Sequence, residues 1–257
     1  MSVPASVPVN VPASGPTAVP DTAIVLAAGL GKRMRPLTDT VPKPLVAVAG
    51  RPLIDHGLGA LERAGVSEAI VNVHYLADAL EAHVAGRERP RVTISDERER
   101  LLDSGGGIRN ALSLTDADPV LILNADTFWR DAPGADNITA LAAAWDAGAM
   151  DILLMLAPFD RAVGHSTGRG DFAIDSEGRL TRSAQGHVYA GAAILSRSIF
   201  RGDEPDAHSL NLHFDRAIEA GRLHGHLMDG LWLTVGTPDA IPSAEDALAE
   251  YDRASAA

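Results

Sequence analysis

Apolar and polar positions follow two rhythms along this chain. Short apolar, often β-branched runs, TAIVLA (22–27), EAIVNV (68–73), RVTIS (91–95) and PVLILN (119–124), have strand character. Between them, PLIDHGLGALERAG (52–65), LADALEAHVAG (76–86) and GGIRNALSL (106–114) carry apolar residues at helical spacing. This β-α-β-α order predicts an α/β fold with a mostly parallel central sheet and helices on both faces.

The second half is less regular. A helix is expected near 137–148, a strand at DILLML (151–156), and then loops from Pro158 to Gly186 with short strands such as DFAID (171–175). VYAGAAIL (188–195) reads as a strand, SLNLHFDRAIEAG (209–221) as a helix, and LHGHLMDGLWLTVG (223–236) as one last strand. That strand leads into a helix begun by TPDAI, with Thr237 as N-cap and Pro238 at the first helical position. There is no internal repeat and no long linker. The Pro/Val/Ala/Ser-rich residues 1–21 lack a basic start and a sustained apolar core, so a disordered tail is expected there, followed by one domain over 22–257. In open α/β sheets, ligands bind outside the carboxyl ends of the strands. The loops after Leu26 and Asn124 and the strand near Thr234 are therefore the places to search.

Composition narrows the partner. A formal charge of −12 over 257 residues argues against a nucleic-acid binder, which needs a basic face. The absence of cysteine excludes disulfides, thiolate metal sites and cysteine nucleophiles and fits a cytoplasmic setting. No run of about eighteen apolar residues marks a membrane span. A small molecule is the expected partner, bound by a monomer or small homo-oligomer.

One stretch departs from the acidic background. LAAGLGKRMRPLTDTVPKPL (26–45) holds two glycines, four basic residues and three prolines, and both lysines of the chain, Lys32 and Lys43, fall within it. Gly29 and Gly31 allow the tight turn that aims backbone N–H groups at an anion. No GK[ST] closes a Walker loop, and GLGKRM lacks the third small residue of a dinucleotide fingerprint. Lys32, Arg33 and Arg35 lie on a turn, and Pro42 and Pro44 are expected to hold Lys43 extended so that it reaches back to the same pocket.

Three further segments carry candidate chemistry. GGGIRNAL (105–112) is either a second close backbone approach to a ligand, with N–H groups open at a helix N-terminus, or a glycine-capped loop. In VLILNADTFW (120–129), Asp126 stands just past an apolar strand, where a carboxylate is either a Mg²⁺ ligand or a turn residue. GRGDFAI (168–174), taken alone, is a turn into a strand. His224 and His226 show no metal spacing and read as surface or packing residues.

The segment LAAGLGKRMRPLTDTVPKPLVAVAGRPLI resembles, without a gap, the signature of the sugar-1-phosphate nucleotidyltransferases, with a Gly-rich LAAG opening, a KPL motif and a P-[LM]-I helix start. Thinner resemblances continue in order to about residue 245. The family implies a Rossmann-like nucleotidyltransferase fold and attack of a sugar 1-phosphate on the α-phosphorus of a nucleoside triphosphate, with release of pyrophosphate. It implies nucleotide contacts at Leu26, Ala27, Ala28, Gly29, Gly31, Lys32, Gly105, Gly106 and Asn124, with Arg33 on the leaving phosphates. Lys43 would serve the α-phosphate and the sugar phosphate, and Asp126 would hold Mg²⁺. The GGG and GRGDF segments are similar to those of bacterial N-acetylmuramate 1-phosphate uridylyltransferases, which implies UTP and N-acetylmuramic acid 1-phosphate as substrates in peptidoglycan recycling. Asp171 and the Tyr189-Ala190-Gly191 segment would then face the sugar. Alternatives within the class are mannose 1-phosphate with GTP and phosphocholine with CTP.

LWLTVGTPDAI (231–241) resembles the family's W-x-D-V-G-T-P, except that Thr234 stands where a second metal-binding Asp is usual. Either Asp126 and the phosphates suffice, or Asp229 reaches in, or activity is reduced. A sugar-nucleotide sensor that binds without turnover is the alternative from another class.

Overall fold

The computed structural model describes residues 18–165 and 168–255. The expected disordered tail lies, for residues 1–17, outside the described residues. Residues 18–21 belong to the folded body: Val19 packs against the core, and the Asp21 carbonyl accepts hydrogen bonds from the Ser67 and Glu68 N–H groups.

The strands, in chain order, are β1 (Thr22–Leu26), β2 (Ala47–Val48), β3 (Arg51–Pro52), β4 (Glu68–Val73), β5 (Arg91–Asp96), β6 (Val120–Asn124) and β7 (Thr127–Asp131). They continue with β8 (Ile152–Ala157), β9 (Ala162–Val163), β10 (Phe172–Ile174), β11 (Leu180–Arg182), β12 (Val188–Leu195), β13 (Leu223–Leu227) and β14 (Gly230–Thr234). The helices are α1 (Leu53–Arg63), α2 (Ala77–Val84), α3 (Asp103–Ala111), α4 (Asn137–Ala143), α5 (Asn211–Glu219) and α6 (Ala240–Ser255). Seven strands form the central sheet in the order β13-β8-β12-β6-β1-β4-β5. All its neighbours are parallel except β12, which runs antiparallel between β6 and β8.

The expected α/β architecture is present, and period-two alternation explains its two covered faces. Ala23, Val25, Leu121, Leu123, Leu153 and Met155 share one buried cluster with apolar residues of α1, α2 and α4. The intervening Ile24, Ile122 and Leu154 join Ile108 of α3 and Phe214 of α5 on the other face. A third cluster joins α6, through Ala244 and Leu248, to Phe128 and Leu233 of a small β7-β14-β9 sheet and to Met34 and Val48.

Two sequence expectations fail locally. Residues 223–236 form two strands in different sheets: β13 lies parallel to β8, whereas β14 pairs antiparallel with β7. The break falls at Met228-Asp229, and Gly230, at φ 127°, takes a backbone conformation closed to most side chains. The last helix starts at Ala240, after a turn in which the Thr237 and Pro238 carbonyls accept from the Ala240 and Ile241 N–H groups, so Thr237 is not its N-cap. Pro242 explains the delay. A helix begun at Pro238 would need an N–H from Pro242, whereas a start at Ala240 leaves Pro242 in the first turn, where none is required.

A buried histidine pair braces α3 against α5. His208 Nδ1 lies 2.7 Å from the Pro205 carbonyl and therefore bears the proton; its Nε2 accepts from His213 Nε2 at 2.9 Å, and His213 Nδ1 is left buried without a partner among the described residues. Burial, reinforced by His208, lowers the His213 pKa from 6.5 to about 4. The native state thus declines a proton that the unfolded chain accepts. Its contribution to stability is intact above pH 6.5 and is lost as pH falls toward 4. Between pH 7 and 4, the wild type should lose on the order of 2 kcal/mol more stability than His213→Leu, read from urea unfolding at each pH. Parallel pH profiles for the two proteins would show that His213 is not the linked group.

Candidate active site

The site begins where three neighbouring strands end. Leu26 of β1 stands in register with Asn72 of β4 and with Asn124 of β6. Asn72 interrupts an apolar strand, and its side chain closes a network: Oδ1 accepts from the Ala27 and Ala28 N–H groups at 2.6 and 3.2 Å, and Nδ2 donates to Glu97 Oε1 at 2.7 Å. Glu97 Oε2 in turn accepts from the Leu102 N–H at 3.1 Å. One carboxylate thereby ties the loop after β1 to the chain entering α3. Burial pushes the Glu97 carboxyl above the ordinary range, opposed by the hydrogen bonds from Asn72 and Leu102.

The basic stretch folds into three 3-10 turns, Lys32–Met34, Leu37–Asp39 and Lys43–Leu45. Gly31, at φ +60°, precedes the first; a Cβ there would stand 3.0 Å from Thr38 Cγ2 and 3.1 Å from Lys43 Cβ. Lys43 is not extended as expected: Pro42 is, and Pro44 sits within the third turn, where its missing N–H costs nothing. The Lys43 side chain, 11% exposed, still points back into the site and puts Nζ 2.6 Å from Asp126 Oδ2. Arg35 pairs with Asp39, whereas Lys32 and Arg33 have no carboxylate partner among the described residues.

Two cavities meet at Asp126. The first, about 410 Å³, is lined by Leu26, Ala27, Ala28, Gly29 and Lys43 on one side and by Glu97, Asp103 and Ser104 on another. The second, about 360 Å³, is lined by Arg33, Asp171, Arg182, Tyr189, Phe214 and Thr234 among others. Asn124 and Asp126 line both. Asp171 Oδ2 accepts from the Tyr189 N–H at 2.9 Å.

Several expected site residues line neither cavity. Gly31 and Lys32 lie on the turn outside them. Gly105 and Gly106 are buried within the first turn of α3, and both their N–H groups donate to the His208 carbonyl, so they are not open to a ligand. Their lack of a side chain serves packing against His208 and Asp206. Gly107 does the same against Asn72 and Glu97, each of which would lie 2.7 Å from a Cβ at that position. Gly191 interrupts β12 at a bulge with φ +78° and lies against Asn124 and Thr127. Of the Tyr189-Ala190-Gly191 segment, Tyr189 alone faces the second cavity.

The donor set can take one hard cation. Among the described residues, no three His, Asp or Glu side chains gather as a metal site. Asp126 is 40% exposed at the cavity junction, and the hydroxyl-bearing Thr234 lines the second cavity with it, opposite Thr127 in the strand register. Mg²⁺ is commonly held by one or two carboxylates plus substrate phosphates and water, which these residues can provide for. Asp229 lines neither cavity and pairs with Arg161 at 3.1 Å, so it does not replace the missing carboxylate.

Four residues of the site, Asn72, Glu97, Arg182 and Asn211, are not among those expected from sequence. Asn72 carries a signal, a polar residue at a fully apolar position of EAIVNV; the others sit in charged or loop-rich segments with none.

Comparison with known proteins agrees with this geometry. Residues 22–181 match the family described as "Nucleotidyl transferase". The chain is 46% identical over 241 residues to the N-acetylmuramate alpha-1-phosphate uridylyltransferase of Caulobacter vibrioides, covering 90% of this chain and 98% of that one. It is 34% identical to the enzyme of the same name from Neisseria meningitidis, over 87% of this chain and 96% of that one. A solved UDP-glucose pyrophosphorylase complexed with UDP-glucose superposes with a TM-score of 0.74 at 15% identity, covering 89% of this chain and 98% of the other, a likeness of fold. No helix among the described residues is long and apolar enough to cross a membrane.

Proposed function

The chain belongs to the nucleotidyl transferase family, and from that premise we propose that it transfers a uridylyl group from UTP to N-acetylmuramic acid 1-phosphate, releasing pyrophosphate. One observation carries the reading: two cavities share Asn124 and Asp126, and Asp126 is paired there with the ammonium of Lys43, which lines the first. The near full-length likeness to two uridylyltransferases supports the choice of base and sugar.

The chemistry brings two polyanions into line. A sugar phosphate oxygen is already an anion at neutral pH and attacks the α-phosphorus without a general base, while the pyrophosphate leaves from the opposite side. Lys43 lines the first cavity beside the shared Asp126, and its ammonium serves the α-phosphate and the incoming phosphate. Arg33, with no carboxylate partner among the described residues, takes the β- and γ-phosphates. Asp126 would hold Mg²⁺ together with triphosphate oxygens; the ion, when bound, neutralises charge that builds on the transferring group. The 27–29 backbone and the Asp103-Ser104 corner enclose the nucleoside, and Asp171 accepts a sugar hydroxyl.

Pyrophosphate release should be measured with Mg²⁺ across UTP, CTP, GTP, ATP and dTTP against the 1-phosphates of N-acetylmuramic acid, N-acetylglucosamine, glucose and mannose, and phosphocholine. One dominant rate at UTP with N-acetylmuramic acid 1-phosphate is expected. A dominant rate elsewhere overturns the substrate assignment, and nucleotide binding without any turnover favours the sensor reading, which Thr234 motivates.

Thr234 also gives a graded test. Restoring a carboxylate by Thr234→Asp should lower the Mg²⁺ concentration for half-maximal rate on the order of tenfold, because ligand charge sets affinity for a hard cation. An unchanged Mg²⁺ requirement would place position 234 outside the metal's reach.

A further inference from the structure

Two side chains that line the second cavity hold hydrogen-bond donors with no protein partner among the described residues. Arg182, from β11, lies with its guanidinium carbon 4.7 Å over the Phe172 ring and 5.9 Å from the centroid of Phe214. One edge is fixed: Nε and Nη2 donate to Asp215 Oδ1 at 3.0 and 2.8 Å, and Nη2 also donates to Asn211 Oδ1 at 2.8 Å. Nη1 has no protein partner among the described residues. The aromatic platform and the two acceptors hold the fork in place and leave one donor group for something else.

Tyr189 makes a second, independent demand. Its ring meets Phe214 edge-on, with centroids 5.6 Å apart, so it is anchored on the same aromatic residue as Arg182. Its hydroxyl is buried and has no hydrogen-bond partner among the described residues. A buried O–H without an acceptor costs free energy, and such groups are rare enough to require an explanation. Both Tyr189 and Arg182 line the second cavity.

An occupant that satisfies both must be an acceptor, and a charged one gains most from the guanidinium. Resting on the assignment of this cavity to the sugar, we infer that the Arg182–Tyr189 corner binds a carboxylate carried by the sugar 1-phosphate. N-acetylmuramic acid differs from N-acetylglucosamine by a lactyl ether that bears such a carboxylate. The guanidinium serves two carboxylates at once, Asp215 along its Nε/Nη2 edge and the substrate at Nη1. Asp215 is solvent-exposed, so its attraction is screened and does not cancel the charge offered to the cavity. The corner is thus a specificity subsite for acidic sugars, in the cavity that Arg33 also lines.

The test compares three acceptors at saturating UTP: N-acetylmuramic acid 1-phosphate, its lactamide analogue, which keeps shape and loses charge, and N-acetylglucosamine 1-phosphate. Wild-type kcat/KM should fall ~10- to 100-fold from acid to amide, the range for a charge-assisted hydrogen bond. Arg182→Met should lose a similar factor with the acid, treat acid and amide alike, and lose markedly less with N-acetylglucosamine 1-phosphate than with the acid. Arg182→Lys should fall between, and Tyr189→Phe should cost less than Arg182→Met. Equal wild-type treatment of acid and amide overturns the inference while leaving the proposed reaction standing, and does so without depending on the folding of any variant. Equal losses with all three acceptors in Arg182→Met also overturn it, because they mark a structural role. Absence of wild-type turnover with N-acetylmuramic acid 1-phosphate removes the proposed reaction and this inference together.

Discussion

Lys43→Ala is expected to slow pyrophosphate release ~100- to 1,000-fold while the protein stays folded. The ammonium lies 2.6 Å from Asp126, the carboxylate shared by the two cavities, and lines the first of them. A transferring phosphoryl group at that junction develops charge that water can no longer reach freely, so a fixed donor is worth far more there than in solution. Stability should change little by comparison. Asp126 is 40% exposed, and an ion pair open to solvent on one side contributes about 1 kcal/mol or less. Lys43→Arg should not restore the rate: the side chain is 11% exposed, and a planar fork does not supply the same point of charge. Steady-state rates together with thermal unfolding separate the two effects. A rate within a few-fold of wild type removes Lys43 from the mechanism, and a collapsed melting temperature assigns it to the fold.

The central sheet is readable because its strands bury both faces and therefore appear as unbroken apolar runs between helical spacings. Glu68–Val73 and Val188–Leu195 match the expected bounds residue for residue. The small sheet is harder to see. Its strand Thr127–Asp131 follows β6 after two residues and is absent from the expected strands, although Phe128 and Trp129 have strong strand preference. Gly230 lies inside a run whose hydrophobicity continues across it, so a change of sheet cannot be told from one strand. In the site, Lys43 and Asp126 are identifiable because each is chemically out of place locally, a lysine between prolines and a carboxylate after an apolar strand. Gly105 and Gly106 mislead for the opposite reason. Glycine signals a close approach without saying to what, and here the neighbours are the side chain of His208 and the backbone of Asp206. Arg182 and Asn211 come together only through the packing of β11 against α5, which no local spacing encodes.

Asn72→Leu should cost about 3 kcal/mol of stability and should raise the KM for UTP more than it lowers kcat. The amide is the acceptor for the Ala27 and Ala28 N–H groups and the donor to Glu97, and leucine can be neither. Each orphaned buried donor costs roughly 1–3 kcal/mol, and a buried carboxylate stripped of a donor costs more. The pH dependence distinguishes this network from a generic packing defect. In the wild type, the Glu97 carboxyl already sits above its ordinary value of 4.5 because it is buried. A group raised in this way favours the native state most below the unfolded pKa, and that advantage is lost as pH rises through the folded pKa. Removing Asn72 raises the folded pKa further, so the loss becomes larger in the variant once Glu97 must ionise. The stability deficit of Asn72→Leu should therefore be smallest near pH 4 and grow toward neutrality, and Glu97→Gln in the same background should flatten it. A deficit independent of pH would mean that Glu97 does not sense Asn72, and that the loop after β1 is held by packing alone.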